Sequence, residues 1–199
     1  GWKSYMAREI GLRCDIQTIA VGSIRDVAVA ERIVREDADF VAMARQLIAD
    51  PDWANKAENG GNIRKCVSCN SCVLHRSIYG SKLRCCVNTM AGKEYRLEKP
   101  EKTKAVEPKK VAIVGGGPAG MEAARVATLR GHNVTLFEKE GLLGGELIPA
   151  CGADMKYKFR WLIDWLTKEL DELKVDIRLN VKVDGQMLTG SDYDVIIVA

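Results

Sequence analysis

The 199-residue sequence has no long hydrophobic run, and none of its apolar stretches approaches the roughly 18 residues that a membrane span needs. It also lacks a surplus of either charge. Thirty Lys and Arg stand against 27 Asp and Glu, and a net charge of +3 is too mild to argue for nucleic acid or an anionic membrane surface. No signal-peptide pattern opens the chain, and no internal repeat or low-complexity tract interrupts it. A globular cytoplasmic protein is expected, long enough for one large domain or two small ones.

Cysteine is not scarce. There are seven, an odd count, and three of them fall inside residues 66–72. Disulfide frameworks rarely crowd cysteines this way, so reduced, metal-binding thiols are the better reading. Both ends of the sequence look cut. It opens at Gly1 without an initiator Met, and it stops inside Val195-Ile196-Ile197-Val198, which reads as a buried strand. The middle of a longer protein is expected.

Three segments separate by composition. In the first, Asp15 to Val21 reads as a strand ending at Gly22, and a helix follows with Val27, Ala30, Ile33 and Val34 at helical spacing. A second strand covers Asp39 to Met43, and Asp50-Pro51-Asp52-Trp53 begins another helix or turn. Strand–helix–strand of this length indicates a parallel sheet with helices outside. The second segment, about 60–95, has weak periodicity and little core, and is expected to need a metal to fold. Residues 94–110 mix Lys, Arg and Glu with Pro100 and Pro108, as a solvated linker or a surface-hugging crossover would.

The third segment opens with the apolar strand Val111 to Val114 and runs into Gly115-Gly116-Gly117-Pro118-Ala119-Gly120. A helix over 119–130 and a strand over Asn133 to Phe137 follow, the strand ending in Glu138. A longer helix spans about 155–174, with Phe159, Leu162, Ile163, Leu166, Leu170 and Leu173 on one face. Val175 to Leu179 is a further strand, and the last begins near Tyr193. Strand, glycines, helix, strand and acid in this order form a Rossmann-like dinucleotide fingerprint. Gly115 permits the tight turn, Gly117 lets the backbone approach a pyrophosphate, and Gly120 lets the helix pack on the strand. The helix N-terminus then faces the negative charge. Glu138 would accept from the ribose hydroxyls, which favours FAD, ADP or NAD over NADP. Gly144-Gly145 is either a further backbone approach or a plain turn.

The cysteines Cys66, Cys69, Cys72 and either Cys85 or Cys86 are spaced as a compact triplet with a distant fourth. Zinc ribbons present two separated C-x-x-C knuckles, whereas a triplet closed from a later loop suits a [4Fe–4S] cubane. Zinc and unliganded thiols are the alternatives. Cys14 and Cys151 are expected to be small buried hydrophobes, and His75, near the cluster, a structural or surface residue.

Cys66-Val67-Ser68-Cys69-Asn70-Ser71-Cys72 with Cys85-Cys86-Val87-Asn88-Thr89 resembles the cluster-binding stretch of the 2,4-dienoyl-CoA reductase, trimethylamine dehydrogenase and 2-enoate reductase family. Residues 19–24 and 40–45 resemble that family's last two barrel strands, and Val111 to Gly120 with Glu138, Gly144 and Gly145 its adenine-nucleotide domain. The resemblance implies an α/β protein in four parts. Residues 1–58 would be the end of an FMN-binding (β/α)8 barrel, 59–96 the cluster segment, 97–110 a linker, and 111–199 the start of an FAD- or ADP-binding domain. It makes Cys85 the fourth ligand, three positions before Asn88. Gly22 and Ser23, with Ala44 and Arg45, match the loops that cradle the FMN phosphate, an arrangement also general to such barrels. Gln46 and Thr89 depart from the family, which often has proline at both positions.

The implied activity passes electrons between NAD(P)H, FAD, the cluster and FMN to reduce the activated C=C bond of a small molecule. An amine dehydrogenase feeding an electron-transfer flavoprotein is the alternative, with a pure electron-transfer module and a zinc-stabilised binding protein behind it. A homo-oligomer is also expected. No residue of this stretch is assigned as catalytic acid or base, so alone it is expected not to turn over substrate.

Overall fold

Ile19–Val21 (β1) and Phe40–Ala42 (β2) pair in parallel, Ala20 opposite Val41, and Val27–Glu36 (α2) makes the crossover between them. The structure is a computed structural model that describes residues 1–188 and 190–199 and divides into two units, Gly1–Gly92 and Lys93–Ala199. In the first unit a helix, Ser4–Cys14 (α1), precedes β1, and Arg45–Ala49 (α3) and Trp53–Asn59 (α4) follow β2. The core is Ala20, Ile24, Ala30, Ile33 and Trp53, with Ala30 and Ile33 three apart on the inner face of α2. Residues 61–70 carry no regular structure, and Ser71–Val73 (α5) runs into a π-helical turn, Leu74–Ile78.

The second unit holds a four-stranded parallel sheet in the order β5-β4-β3-β6, formed by Lys110–Val114 (β3), Asn133–Phe137 (β4), Asp176–Arg178 (β5) and Val195–Val198 (β6). Central β3 buries Val111, Ala112 and Ile113 in succession, as a strand covered on both faces must. Pro118–Leu129 (α6) and Arg160–Glu172 (α8) pack Met121, Ala124, Trp165, Leu166 and Leu170 against Ile113 and Leu136. Each large side chain fully buried here contributes roughly 1.5–3 kcal/mol. Leu147–Ala150 (α7) and Gly185–Leu188 (α9) are single turns. Before β3 the chain hugs the end of α6, with Ala105 N–H donating to the Arg130 carbonyl at 2.8 Å.

The two parallel sheets make the α/β class plain, but several local expectations need correction. Helix α1 had no sequence reading, because Ser4 is its only buried residue and it shows no apolar stripe. Cys14, expected to be buried, is exposed at its outward end, and Cys151 is only half-buried. The segment 154–159 is a 3-10 turn rather than the first turns of α8, and Trp165 joins the core beside the expected Ile163, Leu166 and Leu170. Strand β6 lies at the sheet edge, with Ile196 and Val198 exposed rather than buried.

Candidate functional site

Because β1 and β2 are parallel, the loops leaving their C-terminal ends open on the same side. A cavity of about 130 Å³ lies there, lined among others by Gly22, Ser23, Arg25, Ala44, Arg45 and Cys66. At roughly 10–15 Å³ of such space per water molecule, that is room for a small anionic group. Gly22 has φ of 122°, and a Cβ there would meet nothing within 4 Å, so a ligand can approach the backbone. Ser23 follows with φ of 53°. Two guanidinium groups converge on the cavity lining: Arg25 donates to the Ser23 and Cys66 carbonyls and to Ser68 Oγ, and Arg45 to Asn70 Oδ1. The sequence brought Gly22, Ser23, Ala44 and Arg45 to notice but missed Arg25 and treated Gln46 as a loop change. Both stand in or beside the strand-end loops, and that position was the available signal.

The cysteine segment lies in the same unit. Cys66, Cys72 and Cys85 are half-buried, and Cys69 and Cys86 are exposed. Cys69 Sγ stands 3.0 Å from Cys86 Sγ, and Cys66, Cys69 and Cys85 lie near enough to Cys86 to repel its thiolate. Burial pushes the Cys85 thiol up, while backbone N–H groups of Val87 and Asn88 aimed at its sulfur pull it back. Burial, and then sharing a proton with Cys69, push Cys86 up further, with no such backbone support. Among the described residues no three or more His, Cys, Asp or Glu side chains are gathered tightly enough to hold a metal ion. His75 is engaged locally: Nδ1 is 3.3 Å from Ser81 Oγ, and the ring meets Tyr79 edge-on.

The second unit carries the glycine loop. Gly115 N–H donates to the Phe137 carbonyl at 2.8 Å, which ties the turn to the end of β4. A Cβ on Gly120 would stand 1.9 Å from the Gly115 carbonyl oxygen, so only glycine lets α6 start this close to β3. Gly117, the N-cap of α6, faces open space, since a Cβ there would meet nothing within 4 Å. That is the vacant approach a pyrophosphate requires at a helix N-terminus. Glu138 is buried, and its carboxylate accepts from Gly116 N–H at 2.6 Å and Glu140 N–H at 2.8 Å. A carboxylate has about four acceptor positions, and these bonds take two of them. Gly144 N–H donates to the Gly116 carbonyl at 2.8 Å, and Gly145 packs on Gly117, so this second turn forms one wall with the first.

Residues 8–63 match the model of the "NADH:flavin oxidoreductase / NADH oxidase family", and residues 110–191 that of "FAD dependent oxidoreductase". The first unit thus matches the NADH:flavin oxidoreductase family and the second the FAD-dependent oxidoreductases. It is 45% identical over 203 residues to the NADH oxidase of Thermoanaerobacter brockii, covering all of this chain and 31% of that protein. The cinnamate reductase of Clostridium sporogenes is 38% identical over 93% of this chain and 28% of its own length. The structure of histamine dehydrogenase from Rhizobium sp. 4-9 superposes on the whole chain with a TM-score of 0.93 at 28% identity, matching 30% of that chain. The chain thus spans less than a third of the length of these relatives. Flavin and NADH stand in the family's own description, and FAD in that of the second match. No helix of the described residues is long and apolar enough to cross a membrane.

Proposed function

We propose that this chain is the electron-relay portion of an iron–sulfur flavoenzyme that reduces activated C=C bonds with electrons from NAD(P)H. The observation that carries the reading is the cavity at the ends of β1 and β2, where Gly22, Ser23, Ala44, Arg45 and Cys66 meet. An anion cradle with a candidate cluster thiol in its wall fits a flavin phosphate held beside an electron carrier. Residues 1–58 would then close an FMN-binding barrel, 59–96 would bind the cluster, 97–110 would link, and 111–199 would bind FAD or ADP.

The donor chemistry, four free thiols and two glycine-rich loops, suits these groups, although the sulfurs as they stand are not gathered around one point. Cys66, Cys69, Cys72 and Cys85 would hold a [4Fe–4S] cluster, with the backbone N–H groups of Val87 and Asn88 supporting the Cys85 thiolate. Such a cluster supplies one-electron steps between carriers that work in pairs of electrons. Gly22 and Ser23 would present backbone N–H groups to the FMN phosphate, and Arg45 would balance its charge. Gly115, Gly117, Gly120 and Gly145 would leave room for the FAD pyrophosphate, and Glu138 would orient the ribose. No acid or base for the substrate is assigned to this stretch, so the substrate chemistry would belong to the rest of a longer protein.

The cinnamate reductase likeness favours an enoate, enoyl-CoA or enone substrate. The histamine dehydrogenase likeness supports a second reading, an amine dehydrogenase whose electrons leave toward a flavoprotein acceptor. Iron, acid-labile sulfide and zinc per chain, measured on anaerobically purified intact protein beside its visible spectrum, test the first step. Four iron and four sulfide with bound flavin are expected; zinc without sulfide would remove the relay. Cys69→Ala should then bleach the cluster and block FMN reduction by NADH, and unimpaired reduction in that variant would refute the relay role.

A further inference from the structure

Both backbone polar groups of Cys66 are taken by side chains, one from the loop after β1 and one from α3. Its N–H donates to Gln46 Oε1 at 2.9 Å, and its carbonyl accepts from Arg25 Nε at 2.7 Å. Gln46 Nε2 also donates to the Arg64 carbonyl at 3.0 Å, so one amide spans residues 64 and 66 as a neighbouring strand would. Gln46 is 4% exposed, and nearby water cannot replace those bonds. Arg25 reaches on to Ser68 Oγ and back to the Ser23 carbonyl. Its own carbonyl accepts from Trp53 Nε1 at 2.8 Å, which roots the arginine in the core of the unit. Arg45 adds a bond to Asn70. Residues 61–70 have no helix or strand of their own, so these side chains stand in for the missing ladder.

We infer that Arg25 and Gln46 are positioning residues that hold the Cys66 thiol in register with the anion cavity and tune the carrier bound there. The inference rests on the iron–sulfur reading above. The two residues contribute differently. Gln46 is neutral and acts by geometry, since it fixes where the first cysteine emerges from the loop. Arg25 fixes the same backbone and also brings a permanent positive charge to Cys66 and Ser68. Net charge and hydrogen bonding around a thiolate-bound cluster set its reduction potential, and a nearby cation favours the more negative, reduced form. A single cavity wall would thereby couple the phosphate cradle to the first ligand.

The test uses the intact, anaerobically purified protein and three variants. Gln46→Leu keeps the volume but removes the bonds to the Cys66 N–H and the Arg64 carbonyl. Arg25→Lys keeps the charge and loses the planar fork, and Arg25→Gln loses both. Iron loss to an external chelator should be about tenfold faster in all three. Redox titration followed by the resonance of the reduced cluster should show Arg25→Gln about tenfold harder to reduce, about 59 mV for a one-electron couple. Arg25→Lys and Gln46→Leu should stay near the parent potential. A parent protein without iron and sulfide would overturn the iron–sulfur reading and this inference with it. A loaded parent whose variants match it in chelation rate and potential would overturn the inference alone. Should far-UV circular dichroism show Gln46→Leu misfolded, Arg25→Lys decides, and parent-like iron loss there sinks the positioning role.

Discussion

In the proposed dinucleotide site Glu138 would meet the ribose, yet its two oxygens already hold the Gly116 and Glu140 N–H groups. The carboxylate therefore shapes the glycine loop before any ligand arrives. Glu138→Gln has one oxygen left to accept, so one N–H loses its partner, at a cost of about 1–3 kcal/mol if it is that of buried Gly116 and less if it is that of exposed Glu140. Thermal unfolding should register that loss, and the variant should also retain less flavin through purification. An unchanged melting temperature would show that the loop holds its shape without the acid. Gly120→Ala tests the same loop from the other side. Its Cβ would meet the Gly115 carbonyl at 1.9 Å, and backbone cannot swing away as a side chain can. The expected penalty is at the upper end of the 1–3 kcal/mol typical of overpacking, with FAD content falling in parallel. Normal flavin content in Gly120→Ala would mean that α6 can start farther from β3 than the structure shows.

Helices α1 and α2 are joined by a carboxylate. Asp37, just past the end of α2, accepts from Ser4 Oγ at 2.6 Å and from Arg32 at 3.1 Å. The Ser4 hydroxyl foremost, and then Arg32, hold its carboxyl below the ordinary value of 3.8. A depressed folded pKa means that the contribution is present above pH 3.8 and is lost as pH falls through the lower folded value. The urea midpoints of the parent and Asp37→Asn should therefore differ near neutral pH and converge below that range. A gap that persists in acid would assign the effect to shape instead of charge. On the other unit, Arg125 ties α6 to α8. It pairs with Glu122 at 2.9 Å, lies over the Trp165 ring at 5.4 Å, and is 3.9 Å from Glu169. Arg125→Ala takes the cation away from those partly buried acids and should cost about 3 kcal/mol in urea unfolding.

These element-scale contacts show what was readable in advance and what was not. Strands β1 to β6 and helices α2, α6 and α8 announce themselves through periodicity and through glycine or proline at their ends, because burial on one face leaves that imprint. Helix α1 leaves none, since a hydroxyl and a carboxylate anchor it. Trp165 falls beside the Ile163–Leu166–Leu170 stripe, yet it joins the core, with Arg125 over its ring. The glycine loop was legible because phosphate chemistry demands glycine at fixed offsets. Arg25 and Gln46 were not, because side chains that grip a neighbouring loop's backbone follow no spacing rule.

Among the described residues one apolar core lies around Ile33 and Trp53 and another around Ile113 and Leu136. Between Cys66 and Gly92 only Val67, Val87 and Ala91 are buried hydrophobics, while Val73, Ile78 and Tyr79 are exposed. Asn88 helps to anchor the segment's far end, donating to the Ile48 carbonyl at 2.8 Å and accepting from Met90 N–H at 3.1 Å. So few apolar contacts cannot offset roughly 1–2 kcal/mol of backbone entropy per ordered residue. If a cluster bound by these cysteines supplies the difference, binding and local folding are one event. Removing iron with a chelator should then leave the far-UV spectrum of the two α/β units nearly intact while a protease gains cleavage sites between Cys66 and Cys86. Mass spectrometry of the fragments would locate the cuts. Protection of that stretch in iron-free protein would show that the arginine and amide grips, with Asn88, order it without the metal.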